Sequence, residues 1–116
     1  MAESPSIFSR IVARDIPADV VFENERIIAF KDIAPQAPLH LLVVPKTEAY
    51  ENVGQLAAGD PELLAEIIAV AGKLASEHSN GEYRLVFNSG PSAGQTVFHV
   101  HAHVLSGPIT EGSLGF

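Results

Sequence analysis

Alternation between apolar and polar residues divides the chain into short elements of two different periods. After Ser4 and Pro5, apolar residues recur at helical spacing over residues 7–12, which predicts a short helix that ends before residues 15–17. A longer helix is predicted over residues 60–78, because an aspartate cap and a proline open it. The apolar stripe predicted for this longer helix consists of Leu63, Leu64, Ile67, Ile68, Ala71, Leu74 and Ala75.

Runs of β-branched and aromatic residues predict five strands. Residues 19–22 and 26–30 flank a polar turn and form a hairpin, while residues 40–44 are apolar on both faces and form a central strand. The remaining strands are predicted over residues 83–88 and 97–105. The chain is therefore expected to be an α+β protein with a mostly antiparallel sheet of about five strands and two helices, the longer helix packing across one face.

The length and composition of the chain indicate one domain with its own core. Its 116 residues lie within the usual range of a single domain, and 47% of them are hydrophobic. No internal repeat or shift in composition marks a boundary, so a single domain is predicted over residues 1–116, with residues 106–116 as a C-terminal tail. The absence of cysteine excludes a disulfide framework, a cysteine zinc site and a thiol nucleophile.

The net charge and the terminal sequence narrow the class of protein further. A formal net charge of −7 argues against a general nucleic-acid-binding protein, whose binding surface should be basic. A small anionic ligand is still compatible with this charge, because surface fields are screened within about 8–10 Å in physiological salt. The first residues lack the basic and apolar regions of a signal peptide, and no apolar run approaches the ~20 residues of a membrane span, so a soluble, cytoplasmic protein is expected.

Three histidines at alternate positions, His99, His101 and His103, carry the strongest chemical signal. If residues 97–105 form a strand, residues two apart point to the same side, so the three imidazoles share one face. A solvent-facing strand of ordinary composition would carry Lys, Thr or Glu there, which makes a chance run of three histidines improbable. The opposite face is predicted to belong to the core and consists of Phe98, Val100, Ala102 and Val104.

A loop of small and polar residues directly precedes these histidines. Over residues 88–96, the small residues let main-chain N–H groups approach an anion, and the side chains of Gln95 and Thr96 add hydrogen-bond donors. Most such loops are only turns. Joined directly to three histidines, this loop predicts a phosphate-binding segment that faces a nucleophile.

The segment from His99 to Leu105 resembles the signature of the histidine-triad family, in which histidines alternate with apolar residues. The resemblance is to the branch of histidine-triad nucleotide-binding proteins and extends over nearly the whole chain. The other segments that carry it are residues 6–11, 16–18, 29–40 and 43–46. It implies an α+β fold, a homodimer, and hydrolysis of purine nucleoside phosphoramidates such as adenosine 5′-monophosphoramidate or lysyl-adenylate. No cofactor and no metal are expected.

The resemblance also implies a role for each of four histidines. His101 matches the nucleophile, and its neutral Nε2 can attack phosphorus if Nδ1–H is donated to a main-chain carbonyl. Attack gives a nucleotidyl-imidazole that water then cleaves. His103 is expected to contact the phosphate and His99 to orient the site. His40 matches a fourth histidine that lies against the triad and helps to position or protonate it; without the resemblance, it would be interpreted as a solvent-exposed residue at the start of a strand.

Further residues match positions that bind the nucleotide. Asp32 and Ile33 match the ribose and base contacts, although a single loop aspartate is more often a turn former. Asn88 matches a residue near the ribose and phosphate, and Gly94, Gln95 and Thr96 match the phosphate loop. The apolar residues expected to wall the purine pocket, all of which are equally suited to the core, are Ile7, Phe8, Ile11, Phe30 and Leu42.

The chain departs from the family pattern in its tail, and two other classes of function stay open. Better-known members carry a tail tryptophan that contributes to the partner's site; this chain has no tryptophan, so its leaving-group preference is open. One alternative is a histidine-rich zinc-binding protein, in which two triad histidines, or one with His40, share a metal. All three triad residues span about 13 Å between Cα atoms, against Zn–N bonds of about 2.0–2.1 Å. The other alternative is a non-catalytic, nucleotide-binding regulatory dimer.

Overall fold

A computed structural model describes residues 6–110 of the chain, within which it has five strands and three α-helices. The strands are β1 (Val20–Glu23), β2 (Ile27–Lys31), β3 (Leu39–Pro45), β4 (Arg84–Val86) and β5 (Ala102–Ser106). The helices are α1 (Ile7–Val12), α2 (Val53–Gly59) and α3 (Pro61–His78). The predicted α+β class and its five strands are confirmed, and α2 is a helix that the apolar pattern did not predict.

The five strands form one antiparallel sheet in the order β1-β2-β3-β5-β4. β3 lies in the middle, as its apolar character on both faces predicts. Its residues pair with β2 on one side and β5 on the other, so that Leu42 is opposite both Phe30 and His103. Because directly opposed residues of an antiparallel pair share a face, this register places His103 beside an apolar row.

Helix α3 covers one face of the sheet and builds the larger core. The side chain of Asp60 caps the helix by accepting the N–H of Leu63 at 3.1 Å, and Pro61 occupies the first turn. Ile68, predicted in the apolar stripe, is 42% exposed, whereas Val70 is buried. Successive side chains of a helix are rotated by about 100° around its axis, so Ile68 points away from the face that Ile67 and Val70 share. The core residues on this face are Ile27, Ala29, Leu41, Val43, Leu56, Leu63, Ile67, Val70, Ala71, Leu74, Val100, Ala102 and Val104.

Helix α1 packs against the opposite face, where a smaller apolar cluster lies beside the histidines. Its cap is Ser6, whose hydroxyl accepts the N–H of Ser9 at 3.0 Å; the predicted start at Ser4 and Pro5 lies outside the described residues. The cluster consists of Phe8, Ile11, Ile28, Phe30, Leu42 and Val44.

The last strand is shorter than the strand predicted over residues 97–105. It begins at Ala102, because the preceding segment bends and the N–H of Val100 donates to the carbonyl of Tyr50 at 3.1 Å instead of to a neighbouring strand. Phe98, predicted in the core, is 47% exposed, which corrects that expectation, while the other three predicted core residues of this segment are buried. The strand ends at Ser106, one residue beyond the predicted end of the strand, and residues 111–116 lie outside the described part.

Helix α2 escaped prediction because it lacks an apolar stripe. Two of its seven residues are glycine, and Leu56 is its buried residue. Its signal is the cap: the side chain of Asn52 accepts the N–H of Gln55 at 2.9 Å, and the Gln55 side chain accepts the N–H of Glu51 at 2.9 Å, which resembles a capping box. Between residues 6 and 110, no helix combines the length and apolarity needed to cross a membrane.

Truncating a buried isoleucine of α3 should lower the free energy of unfolding more than truncating an exposed isoleucine. We expect Ile67→Ala to lower the free energy of unfolding by about 2–5 kcal/mol, because Ile67 has no exposed surface and the change leaves a cavity. The matched control is Ile33→Ala, at a loop isoleucine that is 95% exposed, and it should change the free energy of unfolding by less than about 1 kcal/mol. Chemical denaturation measures both. Equal losses would contradict the described burial of Ile67.

Candidate active site

The main-chain carbonyl of His99 fixes the proton of the His101 ring. Nδ1 of His101 lies 2.8 Å from that carbonyl oxygen, which can only accept a hydrogen bond. In the neutral ring the proton is therefore on Nδ1, and Nε2 keeps its lone pair. The residue is 9% exposed, so the His101 ring that carries this lone pair is buried but not fully closed off from the surface.

His99 is held by the protein through both of its ring nitrogens. Nε2 lies 2.7 Å from the carbonyl oxygen of Pro45, and Nδ1 lies 2.6 Å from the hydroxyl of Ser6, the cap of α1. The residue is 1% exposed. These contacts join the triad to both β3 and α1, and the orienting role that the resemblance implies for His99 stays a prediction.

His40 and His103 form a direct pair on neighbouring strands. Nε2 of His40 lies 2.9 Å from Nδ1 of His103, and the Nδ1 of His40 accepts the N–H of Gln36 at 3.0 Å. His40 is 4% exposed, so the structure places it against the triad and not in solvent. The carboxylate of Asp32 lies 3.4 Å from the same Nε2.

Aromatic contacts pack the rings into one block beneath α1. The ring of Phe8 meets His101 edge-on at a centroid distance of 4.9 Å and meets His99 at 5.7 Å. His101 and His103 are 5.1 Å apart. Phe8 thus shields His99 and His101 from water, and all three triad histidines are buried.

Burial keeps these imidazoles neutral near pH 7. Desolvation lowers the pKa of His40, His99 and His101, because the charged form loses its hydration. The pKa of His103 is lowered to about 4, first by burial and then by the positive charges that His101 and His40 acquire when protonated. A neutral His101 has the lone pair that nucleophilic attack requires.

Asp32 and Ile33 lie in the loop that joins β2 to β3. One carboxylate oxygen of Asp32 accepts the N–H of Ala34 at 2.8 Å, which is the turn-forming contact, and the other faces His40. Asp32 therefore has both the structural role and a place beside the histidines. Ile33 is 95% exposed, so its side chain is accessible to a ligand.

Several N–H groups of the predicted phosphate loop already donate hydrogen bonds to other groups of the protein. The N–H groups of Gly94 and Gln95 donate to the carbonyls of Pro91 and Gly90. The Gln95 amide is 4% exposed and donates to the carbonyls of Glu51 and Val97, while its oxygen accepts the N–H of Gly90. Gln95 therefore holds the loop together, and the contact of Gly94 and Gln95 with an anion stays a prediction.

Other residues of this loop keep positions compatible with ligand binding. Thr96 is exposed, and Asn88 is half-buried. Gly94 adopts a φ of 95°, which favours glycine, and a Cβ at that position would lie 3.9 Å from the Asn88 amide. The loop thus places Asn88 against Gly94.

The predicted pocket walls separate into two groups. Phe8, Ile11, Phe30 and Leu42 all belong to the smaller apolar cluster beside the triad. Ile7 is 45% exposed and stands outside that cluster.

One group of side chains in the described range has the composition of a metal site. Potential ligand atoms of Asp32, His40 and His103 lie within 4.8 Å of one another. However, the Nδ1 of His40 already accepts the N–H of Gln36, so its Nε2 carries the proton in the neutral ring. A metal would need a lone pair there, so the observed hydrogen bonding does not fit a resident ion.

The contacts that sequence reasoning missed come mainly from the main chain. The carbonyls of His99 and Pro45 and the N–H of Gln36 orient three imidazoles, and no side-chain pattern indicates them. Ser6 could have been predicted from the sequence, because a serine directly before an apolar helical run is a typical cap.

A cavity of about 630 Å³ lies away from the histidines, between the end of α3, β4 and residues 105–109, and none of the predicted site residues lines it.

Acid should destabilise the fold through these histidines. Because their native pKa values lie below that of an exposed imidazole, the unfolded chain binds more protons below pH 6.5, and stability falls as the pH falls. His103 alone should account for about 1 kcal/mol between pH 7.5 and 5.5. Denaturation at both pH values measures the loss; His78→Gln, at the exposed end of α3, should leave it unchanged. Equal stability at both pH values would contradict neutral burial.

Comparison with known proteins agrees with this geometry. A family model described as "Scavenger mRNA decapping enzyme C-term binding" matches residues 5–115. A purine nucleoside phosphoramidase from Escherichia coli (strain K12) is 40% identical over 109 residues, which cover 92% of this chain and 90% of that protein. A 14 kDa zinc-binding protein from Zea mays is 40% identical over 109 residues, which cover 90% of this chain and 84% of that protein.

A solved structure extends the similarity from sequence to fold. A HIT family hydrolase from Legionella pneumophila Philadelphia 1 has a TM-score of 0.84 and 45% identity, with 90% of this chain and 95% of that chain covered. The similarity thus spans the sheet, the helices and the segment with the three alternating histidines. The chain belongs to the histidine-triad (HIT) family of nucleotide-binding proteins and hydrolases.

Proposed function

We propose that the protein hydrolyses purine nucleoside phosphoramidates, of the adenosine 5′-monophosphoramidate or lysyl-adenylate type, through a covalent intermediate on His101. The observation that carries this proposal is the hydrogen bond from Nδ1–H of His101 to the carbonyl of His99, which leaves the Nε2 lone pair for attack. The phosphoramidase name of the Escherichia coli relative supports the same reaction class.

The reaction proceeds in two displacements at phosphorus. In adenosine 5′-monophosphoramidate, Nε2 of His101 forms a bond to phosphorus while the P–N bond to the leaving amine breaks, and the amine takes up a proton from solvent. In lysyl-adenylate, the bond that breaks is the P–O bond to the lysine carboxyl group, which leaves as a carboxylate. Water then attacks phosphorus, the bond to Nε2 breaks, and one proton of the water is released. The overall change is hydrolysis of one bond at phosphorus, P–N in the phosphoramidate or P–O in lysyl-adenylate, to a nucleoside monophosphate and the free amine or lysine, with the histidine restored.

The remaining site residues are proposed to bind the nucleotide. The carboxylate of Asp32 accepts hydrogen bonds from the ribose hydroxyls, and the exposed side chain of Ile33 packs against the base. Asn88 and Thr96 contact the ribose and phosphate, and His103 donates to a phosphoryl oxygen. The smaller apolar cluster, which includes Phe8, forms the wall of the base pocket.

Removal of the nucleophile should abolish turnover and spare binding. We expect His101→Ala to lower kcat for adenosine 5′-monophosphoramidate by at least about 1000-fold, because the covalent route is lost. Its affinity for adenosine monophosphate should change by no more than about threefold. The matched control is His78→Ala on exposed α3 surface, which should keep parental kcat.

The assay includes guanosine phosphoramidates and dinucleoside polyphosphates, together with a single-turnover search for nucleotidylated protein. Retention of most activity by His101→Ala would show that the covalent mechanism is wrong. Nucleotide binding without turnover on any substrate would instead support a non-catalytic regulatory dimer.

Zinc binding is the second candidate function. It is favoured by the Asp32, His40 and His103 cluster and by the name of the Zea mays relative, and it is opposed by the proton on His40 Nε2. Phosphoramidate hydrolysis requires no metal in our proposal, so chelators should leave turnover unchanged. Loss of activity restored by added zinc, or stoichiometric zinc in untagged protein, would favour this candidate.

We also propose that the protein is a cytoplasmic homodimer, with one domain over residues 1–116. Support for the assembly comes from β4, which forms an edge of the sheet, and from exposed apolar side chains such as Ile68 and Tyr83.

Light scattering tests the assembly directly. At micromolar concentration we expect twice the mass of one chain, and Ile68→Asp should shift the equilibrium toward monomer because it places a charge on an apolar contact. Ala57→Asp, on exposed α2 surface, is the control and should remain dimeric. A parental protein that behaves as a monomer would contradict the dimer.

A further inference from the structure

His40 lies between groups that can form only one kind of hydrogen bond. On one side, the main-chain N–H of Gln36 can only donate, and it lies 3.0 Å from Nδ1. On the other side, the negative Asp32 carboxylate lies 3.4 Å from Nε2. The N–H of Gln36 requires a lone pair on Nδ1, so the proton of the neutral ring is on Nε2, and the nearby negative charge favours the same form.

The form of His40 determines that of His103. The protonated Nε2 of His40 lies 2.9 Å from Nδ1 of His103, which must accept and therefore carries no proton. The neutral His103 ring then has its proton on Nε2. His101 has the opposite arrangement, because its Nδ1–H donates to the carbonyl of His99.

We propose that the main-chain N–H of Gln36 is a positioning group for the reaction, acting through His40 to hold His103 as the Nε2–H form. Two adjacent rings with centroids 5.1 Å apart then have complementary roles, His101 with a lone pair for phosphorus and His103 with a proton for a phosphoryl oxygen. If His103 took the other form, a second lone pair would face the negative phosphate. The effect on catalysis rests on the proposed function. The tautomers of the rings rest only on the hydrogen bonds within the protein.

The loop before β3 is built to hold this N–H in place. The N–H of Asp32 donates to the carbonyl of His40 at 3.0 Å, so the two ends of the loop are joined. The Asp32 carboxylate accepts the N–H of Ala34, and the Gln36 side chain donates to the Ala34 carbonyl at 3.1 Å. Pro35 and Pro38 restrict the backbone on either side of Gln36.

The parental protein labelled with ¹⁵N-histidine provides the first test, without any mutation. Two-bond ¹H–¹⁵N correlation at pH 7.5 reports which nitrogen of each ring is protonated. We expect Nε2–H for His40, His99 and His103, and Nδ1–H for His101, with exposed His78 as the internal reference. A His40 or His103 with its proton on Nδ1 overturns the proposal.

Substitution of Gln36 provides the second test. Gln36→Pro removes the N–H, whereas Gln36→Ala keeps it and loses only the side-chain contact to Ala34. With proline, the His40 and His103 signals should shift toward a mixture of both forms, and kcat should fall about tenfold below that of the alanine variant with KM within about threefold. With alanine, the parental tautomers should be retained.

The outcomes separate this proposal from the proposed function. Unchanged tautomers in a folded Gln36→Pro protein overturn the role of the N–H, and if that variant does not fold, the parental spectrum decides. A parental protein with the expected tautomers but no phosphoramidate hydrolysis refutes the proposed function alone and supports the assignment of the N–H.

Discussion

The burial of four imidazoles beneath helix α1 is the constraint on which the site depends. A buried ring nitrogen without a partner is costly, and within residues 6–110 no buried side-chain nitrogen or oxygen lacks a hydrogen bond. The protein meets this requirement mainly with main-chain groups, whose donor or acceptor character cannot change. Fixed partners on His40, His99 and His101 therefore select one neutral form of each ring, so burial itself prepares the site for chemistry.

The two faces of the sheet divide the work of stability and function. The face beneath α3 is apolar and fully packed, and it supplies stability that does not depend on titratable groups. The other face carries His40 and His103 beside the smaller apolar cluster, where burial of ionisable groups lowers the stability available at acid pH. Because β3 contributes to both faces, the central strand of the sheet also carries His40.

The loop before the triad shows that small and polar residues can also serve the structure of the loop that they form. Glycines and polar side chains do form a compact loop there, but Gln95 and the N–H groups of Gly94 and Gln95 stabilise the loop itself. Thr96 in the same loop is exposed. At a net charge of −7, the phosphate binding that we propose would depend on neutral donors of this kind and not on a basic surface.

The sequence by itself determined the α+β class, the central position of β3, the long helix and the presence of a histidine-based site. These features depend on local periodicity, on caps such as Asp60 and on the alternation of histidines, and each of these can be identified from residues that are close together in the sequence. Only the tertiary structure decided that the triad segment leaves the sheet at residue 101, because that bend depends on a hydrogen bond to Tyr50, half a chain away. Tertiary contacts also decided the proton positions on the rings, since the partners are main-chain groups that every residue carries and that no sequence pattern distinguishes.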